Sequence, residues 1–277
     1  MTAVTIEDLF IYPVKSARGI RKPRVLLEAT GFEWDRNWMI VDDTGKFCSQ
    51  RTHPKLAQLV PQLGEDQLIL EAPGIKTLHL VRKPGERFGV APRVTVRVWS
   101  DECEGVDQGD DAAAWLSQFL GAEVRLVQAV ESPQRRANPQ YAGENSNPVA
   151  FPDGFPILVC NRASLEDLNT RMPEPVPMNR FRPNIVLGGL PPFAEDRIAS
   201  LRFGDIELRL VKPCTRCIIT STDQQTGERT TNPLPVLRSF RFDRDLLGVT
   251  FGENAVVSRG VGSTLELGYS AEVTYDG

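Results

Sequence analysis

With 277 residues, 41% of them hydrophobic and 25% charged, the chain has the composition of a folded globular protein long enough for one large domain or two modest ones. A formal net charge of -4 excludes the basic face that a nucleic-acid binder needs, so any anion site must be local. No basic start precedes an apolar run at the N-terminus and no apolar stretch nears the roughly 18 residues that span a bilayer; with an odd set of cysteines, Cys48, Cys103, Cys160, Cys214 and Cys217, this predicts a cytoplasmic protein with reduced thiols and no membrane segment.

The first hundred residues predict short strands at VTIEDLFIYPV, PRVLLEA, NWMIVDD, LAQLV, QLILEAP, KTLHLV and VTVRVWS, separated by Gly, Pro and Asp turns such as DDTG at 42–45. Closely spaced strands without a long helical pattern imply a barrel or sandwich. At DDAAAWLSQFLG (110–121) the spacing becomes helical, with an acidic start and Gly121 as a stop, and a domain seam is expected near 121–125. Residues 129–152 have no periodicity, which for that length marks a functional lid or disorder. Beyond them come a strand at PILVC, a helix opened by Ser164, and strands at NIVLGG, LRFGDIELRLV, CIITSTD, NAVVSRG and AEVTYDG. The fold class is therefore mainly β with a few helices, α+β.

The sharpest local motif is KPCTRC at 212–217. A structural zinc site would need four ligands, and Cys48, Cys103, Cys160, His53 and His79 provide no second close pair. A redox dithiol normally sits at a helix N-terminus, whereas this motif runs into a β-branched segment. A single thiolate serving as a soft metal ligand needs one cysteine with cations beside it, and Lys212 and Arg216 are adjacent. The fourth reading makes both cysteines small buried apolar residues.

Lys15 and Ser16, Arg36, Arg51, and Arg182 with Asn184 all lie at predicted strand ends, where arginine forks and short polar groups suit a phosphate or the polar edge of a heterocycle. Taken singly, each is also an ordinary surface group. There is no P-loop, dinucleotide fingerprint, nucleophile elbow or two-histidine metal motif, and only two histidines are available for acid–base work.

Five separated segments, IYPVKSARG (11–19), WDRNWMIVDDTG (34–45), DGFPILVCNRASLEDLN (153–169), FRPNIV (181–186) and CTRCIITSTDQQTGE (214–228), occur in an order that resembles the MOSC-domain proteins, in the branch of the mitochondrial amidoxime-reducing component and its bacterial relatives. The resemblance implies an N-terminal β-rich domain over 1–122 and a MOSC β-barrel over 123–277, with a molybdenum cofactor (Mo-molybdopterin) between them. By motif position it makes Cys217 the molybdenum ligand and Cys214 a neighbour that is not one. Lys15, Ser16, Arg36, Arg182, Asn184 and Arg216 fall on positions that hold the pterin and its phosphate, and Asp153 on one near the metal that orients substrate or water.

The implied activity is molybdenum-dependent reduction of small N-hydroxylated compounds, namely hydroxylamines, amidoximes and N-hydroxylated bases. The alternative in the same family is a carrier of the cofactor or of sulfur without reductase activity. The C-x4-C-x2-C spacing of a plant-type iron–sulfur domain is absent, so no iron–sulfur cluster is expected and electrons are expected from a separate redox protein. The 129–152 segment, with Arg135 and Arg136, is then expected to lie over the cofactor cleft and gather substrate.

Overall fold

The computed structural model describes residues 3–82, 92–144 and 147–276. From the N-terminus run β1 (Val4–Ile11), β2 (Ile20–Arg21), β3 (Arg24–Glu28), β4 (Gly31–Phe32), β5 (Trp38–Val41), β6 (Val60–Leu63), β7 (Gln67–Glu71), β8 (Leu78–Val81), β9 (Arg93–Val98) and β10 (Asp101–Asp107). A helix at Asp110–Leu120 and β11 (Arg125–Ala129) follow. The second half holds β12 (Ile157–Asn161), a helix at Arg162–Thr170, β13 (Ile185–Gly188), β14 (Ile198–Phe203), β15 (Ile206–Thr215), a helix at Leu234–Phe240, β16 (Phe242–Asp243), β17 (Gly248–Arg259), β18 (Thr264–Glu266) and β19 (Ser270–Tyr275).

Seven strands close into a barrel in the order β12-β13-β1-β19-β14-β15-β17, with β17 pairing back to β12. Closure leaves no free sheet edge, and the alternation of side chains along each strand fills the interior. Ile157 and Val159 of β12 point into the barrel core with Ile185 and Leu187 of β13. Their neighbours Leu158, Cys160 and Val186 face outward and pack under the Arg162–Thr170 helix in a second core with Phe181 and Phe251. Each such fully buried Leu or Ile contributes roughly 1.5–3 kcal/mol of apolar transfer. β12 and β13 are parallel, which is why the chain needs a helical crossover between them. Gly252, at φ 74°, lets β17 approach β12 closely, since a Cβ there would lie 2.6 Å from the Cys160 Sγ.

The other half is built on a four-stranded sheet, β5-β11-β10-β9, and a three-stranded meander, β6-β7-β8, closed by the Asp110–Leu120 helix. That helix is capped by Gly121 in the left-handed conformation, as its sequence predicts. In space strand pairing crosses the 122/123 seam three times: β1 is a barrel strand between β13 and β19, β3 pairs with β18, and β11 pairs with β5 and β10. The connection from β1 to β5 therefore runs along the junction of the two halves.

Four local expectations differ from the structure. LAQLV begins as a 3-10 turn at Pro54–Gln58, because Pro54 at its first position presets the helical φ, and the strand starts only at Val60. CIITSTD is not a strand. Ile218–Ser221 forms a 3-10 turn in which the Thr220 and Ser221 hydroxyls donate to the carbonyls of Cys217 (2.9 Å) and Ile218 (2.7 Å), an alternative to a ladder that short hydroxylated side chains offer. The helix after β12 is capped by Asn161, whose side chain accepts from the Ala163 amide, while Ser164 is buried and donates to Glu195 at 2.8 Å. The 129–152 segment contains β11's last residue and a short helix at Pro139–Ala142, with Asn145 and Ser146 outside the described residues.

Candidate functional site

A cleft of about 830 Å³ opens where the two halves meet. The eight residues that the family resemblance assigns to the site all line it: Lys15, Ser16, Arg36, Asp153, Arg182, Asn184, Arg216 and Cys217. They come from five short stretches of chain. Lys15 and Ser16 follow β1, Arg36 precedes β5, Asp153 precedes β12, Arg182 and Asn184 precede β13, and Arg216 and Cys217 follow β15. Strand ends converge at a barrel mouth, so residues far apart in sequence become neighbours.

Tyr12 is the hub of one wall. Its ring is covered by the guanidinium carbons of both Arg36 (4.4 Å) and Arg182 (4.3 Å), a cation–π arrangement that desolvation strengthens. Its backbone amide donates to Asp35 (2.7 Å) and its hydroxyl to the Pro183 carbonyl (3.1 Å). Burial raises the Tyr12 phenol, so it remains a neutral donor.

Arg36 donates to Asp35, to Asn184 Oδ1 (2.8 Å) and to the Arg182 carbonyl (3.3 Å). Asn184 also accepts from the Leu158 amide (3.1 Å) and donates to the Phe10 carbonyl (3.1 Å). Its amide oxygen accepts two hydrogen bonds within the protein and orients Arg36. Arg182 donates to the Ala17 carbonyl (2.7 Å), and burial lowers its guanidinium only to about 10, so it stays cationic at neutral pH.

Lys15 is almost fully buried. It donates to the Phe151 carbonyl (2.8 Å) and to Asp153 (2.6 Å). Burial pulls the Lys15 amine down, and Asp153 opposes that pull. Asp153 has a side chain 58% exposed at the cleft mouth. Desolvation in the cleft would raise its pKa, but the charge and hydrogen bond of Lys15, with Arg51 and Arg36 behind, hold the carboxyl below the usual carboxylate range.

The opposite wall carries the C-x-x-C. β15 pairs with β17 through three register shifts, the last between Pro213 and Thr215, and this irregular end delivers Cys214 and Cys217 to the cleft. Arg216 donates to the Cys214 sulfur at 2.9 Å and to the Phe181 carbonyl at 2.6 Å, while its buried Nε has no partner. Cys217 is half-buried, and among the described residues no hydrogen bond reaches its Sγ. The other three cysteines lie outside the cleft. Burial raises the thiols of Cys48, to about 11, of Cys103 and of Cys160.

Five cations, Lys15, Arg36, Arg51, Arg182 and Arg216, thus surround a space with two carboxylates, Asp35 and Asp153. In a chain of net charge -4 this is a strong local reversal. Three residues of the cleft, Ser16 (φ 67°), Arg36 (φ 47°) and Arg182 (φ 58°), hold left-handed backbone without being glycine. Such conformations cost about 1–3 kcal/mol each and persist where the surroundings over-determine them. An accessible thiol, an orphaned buried guanidinium nitrogen and a strained cationic wall fit an anionic group carrying a soft metal. Among the described residues no three His, Cys, Asp or Glu side chains cluster as a metal site, which removes the zinc reading. His53 and His79 bond to Thr52 and Gln67 and take no part in the cleft.

Two placements depart from the sequence. Arg135 is not a substrate gatherer in a lid. It is buried, and its guanidinium donates to the carbonyls of Ala150 (3.2 Å), Pro152 (2.8 Å) and Asp153 (3.0 Å) and to Asp101 (2.8 Å). Three bonds to a turn of backbone and a fourth to Asp101 make it a clamp. Arg136 bonds to the Pro133 and Arg135 carbonyls and does not line the cleft. Sequence reasoning also left Tyr12, Asp35 and the buried Gln50–Gln224 pair without roles. Those two amides exchange hydrogen bonds of 3.0 and 2.9 Å across the junction, and Gln50 donates to the Ser16 carbonyl at 2.7 Å. Tyr12 and Asp35 lie inside the recurring motifs, which was the available signal; a buried glutamine pair leaves none.

Fold and site define a two-part β protein with a cation-lined junction in which, among the described residues, the Cys217 thiol has no hydrogen-bond partner. Family models match both parts: the MOSC N-terminal beta barrel domain over residues 3–123 and the MOSC domain over 146–267. The chain is 35% identical to mitochondrial amidoxime reducing component 2 of Bos taurus, with 86% of this chain and 72% of that protein covered. It is 36% identical to component 1 of Mus musculus, over 86% and 71%. A molybdenum cofactor sulfurase of Drosophila grimshawi is 32% identical over 87% of this chain and 31% of its own length. The chain belongs to the MOSC-domain family, in the branch of the mitochondrial amidoxime-reducing components. No helix among the described residues is long and apolar enough to cross a membrane.

Proposed function

We propose that the cleft holds the molybdenum cofactor through Cys217 and that the protein reduces small N-hydroxylated compounds with electrons from a separate redox protein. The observation that carries this reading is the contrast between the two cysteines: the Cys214 sulfur is taken by Arg216, whereas the Cys217 sulfur faces the same cleft without a donor. Only one thiolate is left for a soft metal. When bound, the cofactor supplies the two-electron couple for cleaving the N–O bond.

The chain's own residues do the rest. Ser16, Arg36, Arg182 and Arg216 offer hydroxyl and guanidinium donors to a phosphate and a pterin edge, and Asn184 keeps Arg36 in register. Lys15 keeps Asp153 ionised at the mouth, where its carboxylate accepts a hydrogen bond from the N–H or O–H of an N-hydroxy group and orients it. The relatives named as amidoxime reducing components support this substrate class.

A second reading, a carrier of the cofactor or of sulfur, is favoured by the molybdenum cofactor sulfurase relative. Protein from a cofactor-competent host separates the two. Near-stoichiometric molybdenum and reduction of benzamidoxime with reduced methyl viologen are expected, with activity from NAD(P)H only after a reductase is added. Bound molybdenum without turnover of any N-hydroxy compound would leave the carrier reading. Absence of molybdenum would remove the reductase and the cofactor carrier and leave only a carrier of sulfur.

A further inference from the structure

Trp99 stands at the tip of the β9–β10 hairpin, and neither cofactor binding nor the core accounts for it. The pairing of Val98 with Asp101 leaves a two-residue loop, Trp99 and Ser100. The first loop residue has φ 57° and the second is not in the positive region, the pattern of a turn that favours glycine at its first central position. A tryptophan there is strained, and 46% of its surface remains exposed. Neither burial nor turn chemistry selects it.

Its surroundings tie it to the cleft in two ways. The guanidinium of Arg51, which lines the cleft and lies 3.9 Å from Asp153, sits 4.6 Å from the indole. The edge of Phe47 packs against it at a centroid distance of 5.0 Å, and the same Phe47 ring lies 4.9 Å from the Lys15 amine. The Arg135 clamp then joins the hairpin, through Asp101, to the backbone of residues 150–153. Trp99, Arg51 and Asp153 are held as one rim. The Arg51 guanidinium makes no hydrogen bond among the described residues, and its contacts are the Asp153 carboxylate and the indole.

We propose that Trp99 is a specificity-determining residue: with Arg51 on one face of its indole it forms a rim that selects planar, conjugated N-hydroxy compounds by stacking their π-system on the exposed part of the ring that Arg51 leaves open. This rests on the reductase reading and names the substrate class it prefers. An aliphatic N-hydroxy compound has no face to stack and gains nothing from the rim. An aromatic stack is worth about 1 kcal/mol beyond its area, which is about a fivefold change in affinity.

The test uses cofactor-loaded wild type, Trp99→Gly and Trp99→Phe with benzamidoxime and acetamidoxime. Glycine accepts φ 57° without strain, so the hairpin survives and the melting temperature does not fall. Trp99→Gly is expected to raise KM for benzamidoxime about fivefold with kcat unchanged, to leave acetamidoxime kinetics as in wild type, and Trp99→Phe to recover most of the loss. Parallel change for both substrates, or none for either, overturns the proposal. Calorimetric binding of the two compounds is measured on the same proteins. If wild type reduces neither compound, the reductase reading fails, and Trp99 is then judged on binding: a wild-type preference for benzamidoxime that Trp99→Gly removes upholds the rim, and equal binding refutes it.

Discussion

On the wall contributed by residues 12–36 and 182–184, most polar side chains already have protein partners, whereas at the end of β15 the Cys217 sulfur has none. The first wall is assembled before any ligand arrives: Asp35 and Asn184 hold Arg36, and Tyr12 spaces Arg36 and Arg182. The second wall satisfies one cysteine with Arg216 and leaves the other for a ligand. Preorganised cations bind an anion without paying for their own ordering, and a reserved thiolate fixes where the metal sits. The contrast predicts different consequences for changes on each wall.

The largest effect is expected from Arg36→Ala. It removes an anchor and also leaves Asp35, 7% exposed, as a buried carboxylate without its cation. Loss of one partner of such a pair costs about 3–5 kcal/mol, so chemical denaturation should show a marked fall in stability together with poor molybdenum retention. An unchanged denaturation midpoint would show that Asp35 does not depend on Arg36.

Arg182→Ala sharpens the comparison, because its hydrogen-bond acceptors are neutral oxygens of Ala17 and Gln224. Retention of cofactor through gel filtration should weaken by about one to two decades, the loss of a charged hydrogen bond of roughly 1.5–3 kcal/mol, with less harm to folding than in Arg36→Ala. Full cofactor in Arg182→Ala would remove it from the anchoring set.

The smallest effect lies away from both walls. Glu253 is buried on β17, its Oε1 has no partner, and burial raises its carboxyl to about 9, with Asp196 and Glu195 adding to the shift. A carboxyl raised in the folded state is protonated there while the unfolded chain has lost its proton, so stability falls as pH rises from about 4.5 toward 9. Glu253→Gln should flatten that slope, raising the melting temperature at pH 8 relative to wild type by about 2–4 °C for each kcal/mol recovered. Parallel pH profiles of the two proteins would contradict the assignment.

Much of this organisation was legible from residue order. Most of the longer strands, the Gly121 stop and the eight cleft residues carry local signals or fall in motifs at strand ends, whereas β10 and β11 are not among the expected strands. What was not legible depends on contacts made only after folding. Whether CIITSTD becomes strand or 3-10 turn is decided by two hydroxyls bonding back three residues, and β-branched propensity points the other way. Arg135 reads as a substrate-gathering charge over the cleft until Asp101 and the 150–153 carbonyls are brought around it. β1 reads as part of the first half, and only the closed barrel shows it between β13 and β19.

The most direct test compares Cys217→Ser and Cys214→Ser in protein from a cofactor-competent host. Molybdenum content, melting temperature and benzamidoxime reduction are measured side by side. Oxygen is a harder and poorer ligand than sulfur for a soft metal, so Cys217→Ser is expected to abolish reduction while folding normally and keeping part of its pterin. Cys214→Ser is expected to retain most activity, because Arg216 keeps its bond to the Phe181 carbonyl. Activity in Cys217→Ser, or equal loss in both variants, would contradict the single-thiolate account.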